Sequence, residues 1–365
     1  MKILLHGATD CGSSNYGDFL YGKLIWDHIH ELLHSANIGF YNPSDFFDEF
    51  INRGNSCRFS GNIKDVTAAV YIPGGYFGEG HNATWKENLI QFMRFIPFGL
   101  KCKHFHIPLA IIGVGAGPNK NFVFRYAIKK IIRYANIVTV RDDESLNALK
   151  KIGCGGCISL TDPILAFNIK QYDKPVDTDI KRFLPLGKKI ILVHYNHSKN
   201  AAVKFGEAIR IFRNDFPEYY PVVTTDQLIS VQIDFRKDFE QAYGLSDYYY
   251  YEYRDPFALG GLISVSDFIL TSKLHVGVTA AQKSKSVLAV AVHPEKTGRF
   301  YNQIRESDRF MDLEDVSSLE IANKVESLIG KNTIVPDIAV EKAKKHLKYL
   351  DDFILSLNTN SGDAG

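Results

Sequence analysis

The chain has 365 residues, of which 45% are hydrophobic, 13% aromatic and 23% charged. This composition excludes a disordered or fibrous chain, and the length exceeds what one hydrophobic core usually supports, so we expect two domains. The formal net charge of +2 gives no strong overall field for nucleic acid or an anionic membrane, so an anionic ligand has to be held by a local site.

The cysteines and the apolar runs bear on the cellular compartment. The cysteines are Cys11, Cys57, Cys102, Cys154 and Cys157. Such an odd and sparse set favours a reducing compartment over a disulfide framework. The first apolar run turns polar at His6, which is too short for a signal peptide, and no later run approaches the length of a membrane span. We therefore expect a cytoplasmic protein.

In the first half of the chain, short apolar runs alternate with longer segments of helical period. The runs are KILLHG, AAVYIPGG, PLAIIGVGAG, NIVTVRD and GCISLTDPIL. This alternation is typical of a parallel sheet with crossover helices. A stretch rich in Asp, Lys and Pro, residues 168–189, then interrupts the pattern.

A second series of the same kind follows the interruption. Its runs are IILVHYN, YPVVTT, YYYYEYR, DFILTS and VLAVAVH. The change in composition predicts an N-terminal domain over 1–178, a second domain over 179–336, and a C-terminal helix with a loose tail over 337–365. The helix is expected to pack back on the N-terminal domain.

This order of elements predicts an α/β fold with two facing Rossmann-like domains, parallel sheets and an interdomain cleft. Ligands of open parallel sheets lie at the carboxyl ends of the strands. The residues that end the predicted strands are therefore the candidates for function.

The stretch FILTSKLHVGVTAAQ, residues 268–282, places Lys273 and His275 where an apolar strand gives way to a helix. The N–H groups of a helix N-terminus attract anions, and a lysine beside them adds a full positive charge. At an ordinary site, a surface lysine and a core histidine that bonds a backbone carbonyl would be the preferred explanation of the pair. Their position at a strand end favours an anion site.

Other strand ends carry further cations. They are Arg141 in the first half, and Lys296 and Arg299, which follow His293, in the second. Each alone fits a solvated surface charge, but their joint placement predicts that they converge with Lys273 on one anionic ligand. After Arg141, Asp142 and Ser145 are candidate caps of the next helix.

Three glycine-rich loops follow strands of the first half and supply uncharged donors for a ligand. The candidate binding residues are Asn15 in GATDCGSSNYGDF, Gly74 and Gly75 in PGGYFGEGH, and Gly115 in GVGAGP. The last loop fails as a dinucleotide fingerprint because Pro118 stands where the third glycine belongs.

Two motifs resemble metal sites. HELLH, from His30 to His34, matches a zinc protease pattern, but on a helix from about Asp18 to Ala36 both histidines lie away from the apolar face and no third ligand follows. CGGC, from Cys154 to Cys157, has no second pair and fits a helix-to-strand turn. We expect no metal.

The segment FVFRYAIKKIIRYAN predicts a basic amphipathic helix. Its cations are Arg125, Lys129, Lys130 and Arg133. An ordinary surface helix is one interpretation, and peripheral contact with an anionic membrane, at its inner face, is the other.

Several of these motifs together resemble the polysaccharide pyruvyl transferase family. They are NYGD (Asn15 to Asp18), IPGGYFGEG, GVGAGP, VTVRDDES, LTDPIL, TSKLHVGVTAAQ and HPEKTGRFY, in this order. The resemblance runs from about residue 3 to about residue 305. It implies a GT-B-like fold and transfer of pyruvate from phosphoenolpyruvate to a sugar of a cell-surface glycan, or to a lipid-linked precursor, as a cyclic ketal.

The resemblance also implies roles for particular residues. Arg141 and the triplet Lys273-Leu274-His275 match positions that the family associates with phosphoenolpyruvate. The family triplet usually begins with Arg, so Lys273 departs from the pattern and lacks the bidentate fork. His275 is the candidate acid or phosphate contact, and Asp18 or Glu79 the candidate base for the sugar hydroxyl. The scheme needs no cofactor besides the co-substrate.

Two other functions stay open. One is a glycosyltransferase of the same fold, whose cationic strand ends would neutralise the diphosphate of a nucleotide sugar. The other is a non-catalytic member that binds a glycan or a partner protein, for which Lys273 and Tyr76 would be the signs. Sequence alone gives neither the acceptor sugar nor the oligomeric state.

Overall fold

The computed structural model of the chain describes residues 1–10, 14–52, 54–79, 84–176, 182–196, 198–230 and 233–359. Some predictions fall on other residues, which lie outside this description: Cys11 and the rest of 11–13 in the first glycine loop, residues 80–83 in the second, and the C-terminal stretch 360–365.

The predicted alternation of strands and helices is present. The strands are β1 (Lys2–His6), β2 (Asn37–Phe40), β3 (Ala68–Tyr71), β4 (Gly74–Phe77), β5 (Leu109–Ala116), β6 (Ile137–Val140), β7 (Ile158–Ser159), β8 (Lys189–His194), β9 (Tyr219–Thr224), β10 (Tyr249–Tyr251), β11 (Phe268–Thr271), β12 (Ser286–Ala291) and β13 (Phe310–Asp312). The helices are α1 (Tyr16–Leu32), α2 (Asp45–Ile51), α3 (Trp85–His104), α4 (Phe122–Tyr134), α5 (Asp143–Lys151), α6 (Lys199–Asp215), α7 (Arg236–Tyr243), α8 (Pro256–Val265), α9 (Leu274–Gln282), α10 (Pro294–Gln303), α11 (Ser318–Leu328) and α12 (Asp337–Thr359).

The chain forms two compact units. Unit 1 comprises Met1–Ser13, Asp18–Phe167 and Ile338–Gly365, and unit 2 comprises Ser14–Gly17 and Asn168–Asp337. The main division thus falls before residue 178, because the segment after Phe167 is bonded into unit 2. In that segment the Lys174 N–H donates to the carbonyl of Phe257, and Asp173 forms an ion pair with the buried Lys283.

Unit 1 is built on a parallel sheet in the order β2-β1-β3-β5-β6-β7, with β4 also paired to β5. All eight residues of β5 are buried, as expected for a central strand covered on both faces. Helix α3 starts with a capping box in which Thr84 and Glu87 satisfy each other's backbone N–H groups. Asp142 is the N-cap of α5, as predicted, whereas Ser145 lies inside that helix and bonds the backbone of Ala116.

The C-terminal helix α12 belongs to unit 1 from Ile338 onward. His346 anchors it: its Nδ1 lies 2.7 Å from the Thr139 hydroxyl on β6, and its Nε2 lies 2.8 Å from the carbonyl of Thr161. Burial lowers the pKa of His346 to about 4, more than the Thr161 carbonyl raises it. A neutral imidazole therefore ties the end of the chain to the sheet.

Unit 2 contains a second parallel sheet, in the order β10-β9-β8-β11-β12-β13. The chain order reverses between β8 and β11, so the crevice at the carboxyl ends of these two strands is the expected ligand position in this unit. Its apolar core packs α6, α7 and α11 on the sheet through residues such as Phe205, Phe212 and Phe239.

Candidate active site

Buried polar side chains collect at the carboxyl edge of the unit 2 sheet, around the reversal between β8 and β11. They are His194 at the end of β8 and Asn196 just after it, Thr225 and Asp226 after β9, and Thr271 and Ser272 at the end of β11. Polar groups are costly to bury unless they bond one another or a ligand. This concentration marks the edge as a candidate site.

Asp226 lies at the centre of this group and is only 1% exposed. Asn196 donates a side-chain hydrogen bond to its carboxylate. The His194 Nε2 lies 3.5 Å from Asp226 Oδ1, and the opposite ring nitrogen of His194 lies 2.9 Å from the Thr271 hydroxyl. The histidine therefore links the ends of β8, β9 and β11.

The groups around Asp226 shift the pKa of its carboxyl. Burial alone would raise the pKa of this carboxyl, but the charge of Lys273 and the contact with His194 outweigh burial and hold the pKa below its usual range. His275 acts in the same direction. Asp226 is consequently a fixed negative charge that holds cationic groups at this edge.

Lys273 and His275 occupy the positions that their sequence predicted. Lys273 is the N-cap of α9, directly after β11, and His275 lies in the first turn of that helix. Both side chains are half-buried. An anion at this helix start would meet backbone N–H groups and the lysine ammonium together.

The segment Ser14–Gly17 is part of unit 2 and runs beside His275. A Cβ atom on Gly17 would lie 1.9 Å from the His275 Nδ1, so only glycine permits this approach. The Tyr16 N–H donates to the carbonyl of Asp226 at 3.1 Å, and the Asn15 side chain accepts from the Gly17 N–H at 3.0 Å. The predicted residue Asn15 thus joins the histidine site.

The other two predicted cations of unit 2 lie on α10. This helix begins after β12, which pairs with β11, so its first turn is next to that of α9. Lys296 is exposed, and Arg299 is half-buried and lies 3.5 Å from Glu295. The structure therefore brings Asn15, Lys273, His275, Lys296 and Arg299 to one edge of one unit.

Arg141, by contrast, belongs to unit 1 and is buried at the end of β6. Burial alone would lower the pKa of its guanidinium. The interactions with Tyr21, Asp162 and Asp142 outweigh burial and raise the pKa above its usual value. Tyr21 donates to Asp162 at 2.7 Å. The arginine thereby completes an internal network of unit 1.

The glycines predicted to bind substrate also lie in unit 1, where the structure gives each a local role. A Cβ on Gly115 would approach the Arg141 Nη2 to 3.0 Å, so this position has to leave room for the guanidinium. Gly74 and Gly75 begin β4, and the carbonyl of Gly75 accepts from Gln91 at 3.0 Å.

The two candidate bases, Asp18 and Glu79, are half-buried in unit 1. A Glu79 carboxylate oxygen accepts the Asn121 N–H at 2.7 Å, just before α4. The charge of Asp18 helps burial to raise the pKa of Tyr76, whose hydroxyl bonds the Ala8 N–H at 3.0 Å. Their predicted roles stay predictions.

The metal-like motifs have structural explanations. Helix α1 ends at Leu32, earlier than the predicted Ala36, so His34 is exposed beyond the helix. His30 was predicted to point to solvent, but it is half-buried. Its ring packs edge-on against Trp26, with the ring centroids 4.7 Å apart. CGGC forms the turn between α5 and β7, as predicted. Within the described ranges, no three His, Cys, Asp or Glu residues are grouped to hold a metal.

A cavity of 710 Å³ lies at the opposite, amino edge of the unit 2 sheet. Its lining includes Lys189, Tyr219 and Ser286, which begin strands. Lys283 is also part of the lining, and its ammonium is occupied by Asp173, the carbonyl of Gly260 and the hydroxyl of Ser264. This cavity is separate from the candidate site at the carboxyl edge.

Two Rossmann-like units with parallel sheets define a GT-B-like protein, and solved structures agree. A UDP-GlcNAc 2-epimerase of Neisseria meningitidis bound to UDP-GlcNAc is 12% identical, with a TM-score of 0.61 over 96% of this chain and 99% of that one. For a putative UDP-N-acetylglucosamine 2-epimerase of Listeria monocytogenes the values are 11%, 0.65, 97% and 96%. For Anabaena HepE in complex with UDP-glucose they are 13%, 0.62, 98% and 100%.

The sequence identifies the family within this fold. The family profile of polysaccharide pyruvyl transferases matches residues 15–294. The chain therefore belongs to the polysaccharide pyruvyl transferase family, as its motifs predicted. No curated protein matches the chain in sequence. In the part of the chain that the structure describes, no helix is long and apolar enough to span a membrane.

Proposed function

We propose that this protein transfers pyruvate from phosphoenolpyruvate to a glycan or lipid-linked glycan acceptor as a cyclic ketal, and that the donor binds at the carboxyl edge of unit 2. The observation that carries the proposal is the placement of Lys273 and His275 at the start of α9, around the buried charge of Asp226. This segment lies within the region that matches the family.

The chemistry of the donor fits this edge. Phosphoenolpyruvate carries a carboxylate and a phosphate, so it needs several positive groups and N–H donors. The α9 N-terminus and Lys273 supply them, with Lys296 and Arg299 on the neighbouring helix. A lysine binds phosphate as a point charge, which keeps the departure from the family's arginine compatible with donor binding.

The reaction has to move two protons. The methylene carbon of the donor gains a proton and becomes the methyl group, and the two sugar hydroxyl oxygens form bonds to the central carbon while its bond to the phosphate oxygen breaks. One hydroxyl proton balances the proton on the methyl group and the other leaves with phosphate. His275 is the proposed proton donor or phosphate contact, and Asp18 or Glu79 the proposed base.

Arg141 enters the proposal differently. Its match to the family's donor-binding position supports a role in substrate binding. Its burial beside Asp142 and Asp162 supports a role in holding unit 1 together. The two roles predict different outcomes when the residue is replaced.

A nucleotide sugar is the alternative donor, since the similar epimerase and HepE structures hold UDP-sugars. At 12% and 13% identity these similarities concern the fold alone. A thermal unfolding series separates the donors, because a ligand stabilises the state that binds it. We expect phosphoenolpyruvate to raise Tm and UDP-GlcNAc or UDP-glucose to leave it unchanged. The reverse pattern would favour a glycosyltransferase, and no shift with either would favour the non-catalytic member.

A further inference from the structure

The outer sides of α3 and α4 expose an unusual set of large apolar side chains. They are Trp85 (77% exposed), Leu89 (41%), Ile90 (52%) and Met93 (61%) on α3, and Phe122 (72%), Val123 (45%) and Tyr126 (61%) on α4. We call these seven residues the α3–α4 surface. Exposed apolar groups concentrated in this way mark an interaction site.

The two helices lie side by side and run in the same direction. Phe92 stacks on Phe124 with ring centroids 4.6 Å apart, and Gly99 is so close to Ile131 that an added Cβ would lie 2.7 Å from its Cγ2. Both contacts join residues with the same sequence offset. Residues 90–94 of α3 are therefore level with 122–126 of α4.

The folded core does not use this surface. The residues that these helices bury include Phe95, Ile96 and Phe98 on α3 and Ile128 and Ile131 on α4. The α3–α4 surface lies on the other side of the same helices and keeps its apolar area in water. Folding of unit 1 therefore gives no reason for a tryptophan, a methionine and a phenylalanine there.

Cations are interspersed with these apolar side chains. Helix α4 carries Arg125, Lys129, Lys130 and Arg133 and has no acidic residue. The Lys130 ammonium lies 4.4 Å from the centre of the Tyr126 ring. The hydrogen bond and charge of Lys130, together with the charge of Lys103 on α3, lower the pKa of Tyr126. Cations of both helices thus lie beside the exposed aromatic side chains.

We propose that the α3–α4 surface binds the headgroup region of an anionic lipid membrane. Exposed aromatic and aliphatic side chains would enter the boundary between headgroups and acyl chains, and the lysines and arginines would attract the anionic headgroups. The charge pattern selects this occupant, because a mixture of apolar groups and cations with so few acidic groups complements an anionic bilayer. The first turns of α3 and α4 follow β4 and β5, so the membrane would border the carboxyl edge of unit 1.

Tryptophan fluorescence gives a direct test, because the chain has two tryptophans and Trp26 is buried at 3% exposure. Trp85 alone should therefore report contact with lipid. We expect its emission to shift to shorter wavelength with vesicles of phosphatidylcholine and phosphatidylglycerol. Trp85→Phe should bind the vesicles without that shift. An unchanged spectrum while the protein co-sediments with vesicles would overturn the proposed surface.

Co-sedimentation measures the charge and apolar contributions separately. Each basic side chain near an anionic surface contributes about a fivefold factor in binding. Arg125→Gln with Lys130→Gln should therefore weaken binding about 30-fold, whereas Lys342→Gln with Lys345→Gln, two exposed lysines of α12, should not. Met93→Ser with Phe122→Ser should also release the protein.

The matched apolar control is Leu319→Ser with Ile334→Ser, because both residues are exposed in unit 2. This variant should bind as the parent does. Equal binding to vesicles of phosphatidylcholine alone, equal loss in the control variants, or no vesicle binding at all would each overturn the proposal. These measurements need neither donor nor acceptor, so they stand apart from the proposed reaction.

Discussion

The two units place ionisable groups differently around the carboxyl edges of their sheets. In unit 1, Arg141 is buried with Asp142 and Asp162 as counter-charges. In unit 2, Lys273 and His275 are half-buried and the central carboxylate is that of Asp226. Removing one member of a buried set of opposite charges destabilises a fold, whereas ionisable groups at a partly open edge are in a position to contact a ligand.

The two units share an architecture but surround their buried ionisable groups differently. Unit 1 surrounds His6 with aromatic rings, among them Phe98 at 4.5 Å, and burial lowers the pKa of His6 to about 4. Unit 2 places Lys273, His194 and His275 around the buried carboxylate of Asp226, whose pKa they lower. This difference supports the proposal that the anionic donor binds in unit 2 and the acceptor in unit 1.

Replacing His275 of unit 2 should give the largest loss of activity. General acid or base catalysis contributes about 100-fold to 10,000-fold, so His275→Asn should lower pyruvyl transfer by about that factor. His34→Asn removes an exposed histidine of unit 1 and should leave the rate unchanged. Phosphate release with a suitable acceptor measures both. Full activity of His275→Asn would end the assignment of the chemistry to unit 2.

Replacing Arg141 of unit 1 should lower the free energy of unfolding. Arg141→Gln leaves Asp162 buried without its counter-charge, which costs about 3 to 5 kcal/mol of unfolding free energy. Chemical denaturation of the variant and the parent measures the difference. A variant of parental stability that has lost affinity for phosphoenolpyruvate would show that Arg141 serves donor binding, as its place in the family motif implies.

Mild acid should destabilise unit 1 through its neutral histidines. Burial lowers the pKa of His6 and of His346 to about 4. Between pH 6.5 and 4 the unfolded chain binds protons at these residues that the folded chain does not, so stability is full above this range and falls with pH. Each histidine should contribute about 2 kcal/mol of loss between pH 7 and pH 5.

His346→Gln isolates one of the two contributions, since glutamine can keep a donor and an acceptor near the Thr161 carbonyl and the Thr139 hydroxyl. Denaturation curves at pH 7 and pH 5 should show a smaller loss for this variant than for the parent. An equal loss in both would contradict the buried neutral state of His346.

Adding a methyl group next to His275 should have the smallest effect of these changes. Gly17→Ala places a methyl group against the His275 ring, and overpacking of this kind costs about 1 to 3 kcal/mol. We expect a lower Tm and reduced transfer. The control is Gly155→Ala, because no atom lies within 4 Å of the added Cβ. Gly54→Ala is not suitable, because Gly54 has a φ of 92°, which strains an alanine. Parental activity in Gly17→Ala would contradict the close approach.

The sequence predicted most of the strands. Each predicted apolar run contains a strand, because central strands of parallel sheets are continuously apolar. β2, β4 and β13 were missed. β2 and β13 interrupt their apolar residues with polar residues or glycine, so they show no continuous apolar run, and β4 begins inside the predicted glycine loop PGGYFGEGH. GCISLTDPIL forms only the short β7, after which Asp162 and Pro163 start a 3₁₀ turn.

The site was predicted in part. Lys273 and His275 could be proposed from the sequence because polar residues at the end of an apolar strand stand out. His194 and Asp226 were missed, although both follow the same rule in IILVHYN and YPVVTTD. The approach of Gly17 to His275 joins residues far apart in sequence, which no local pattern reveals.

Donor binding tests the central claim most directly. Calorimetric titration of phosphoenolpyruvate should give about 10-fold to 100-fold weaker binding for Lys273→Met than for the parent, because one charged hydrogen bond is lost. Lys273→Arg should bind as tightly as the parent, and Lys342→Met, a change at an exposed lysine of α12, should have no effect. Unchanged affinity in Lys273→Met would contradict a donor site at the carboxyl edge of unit 2.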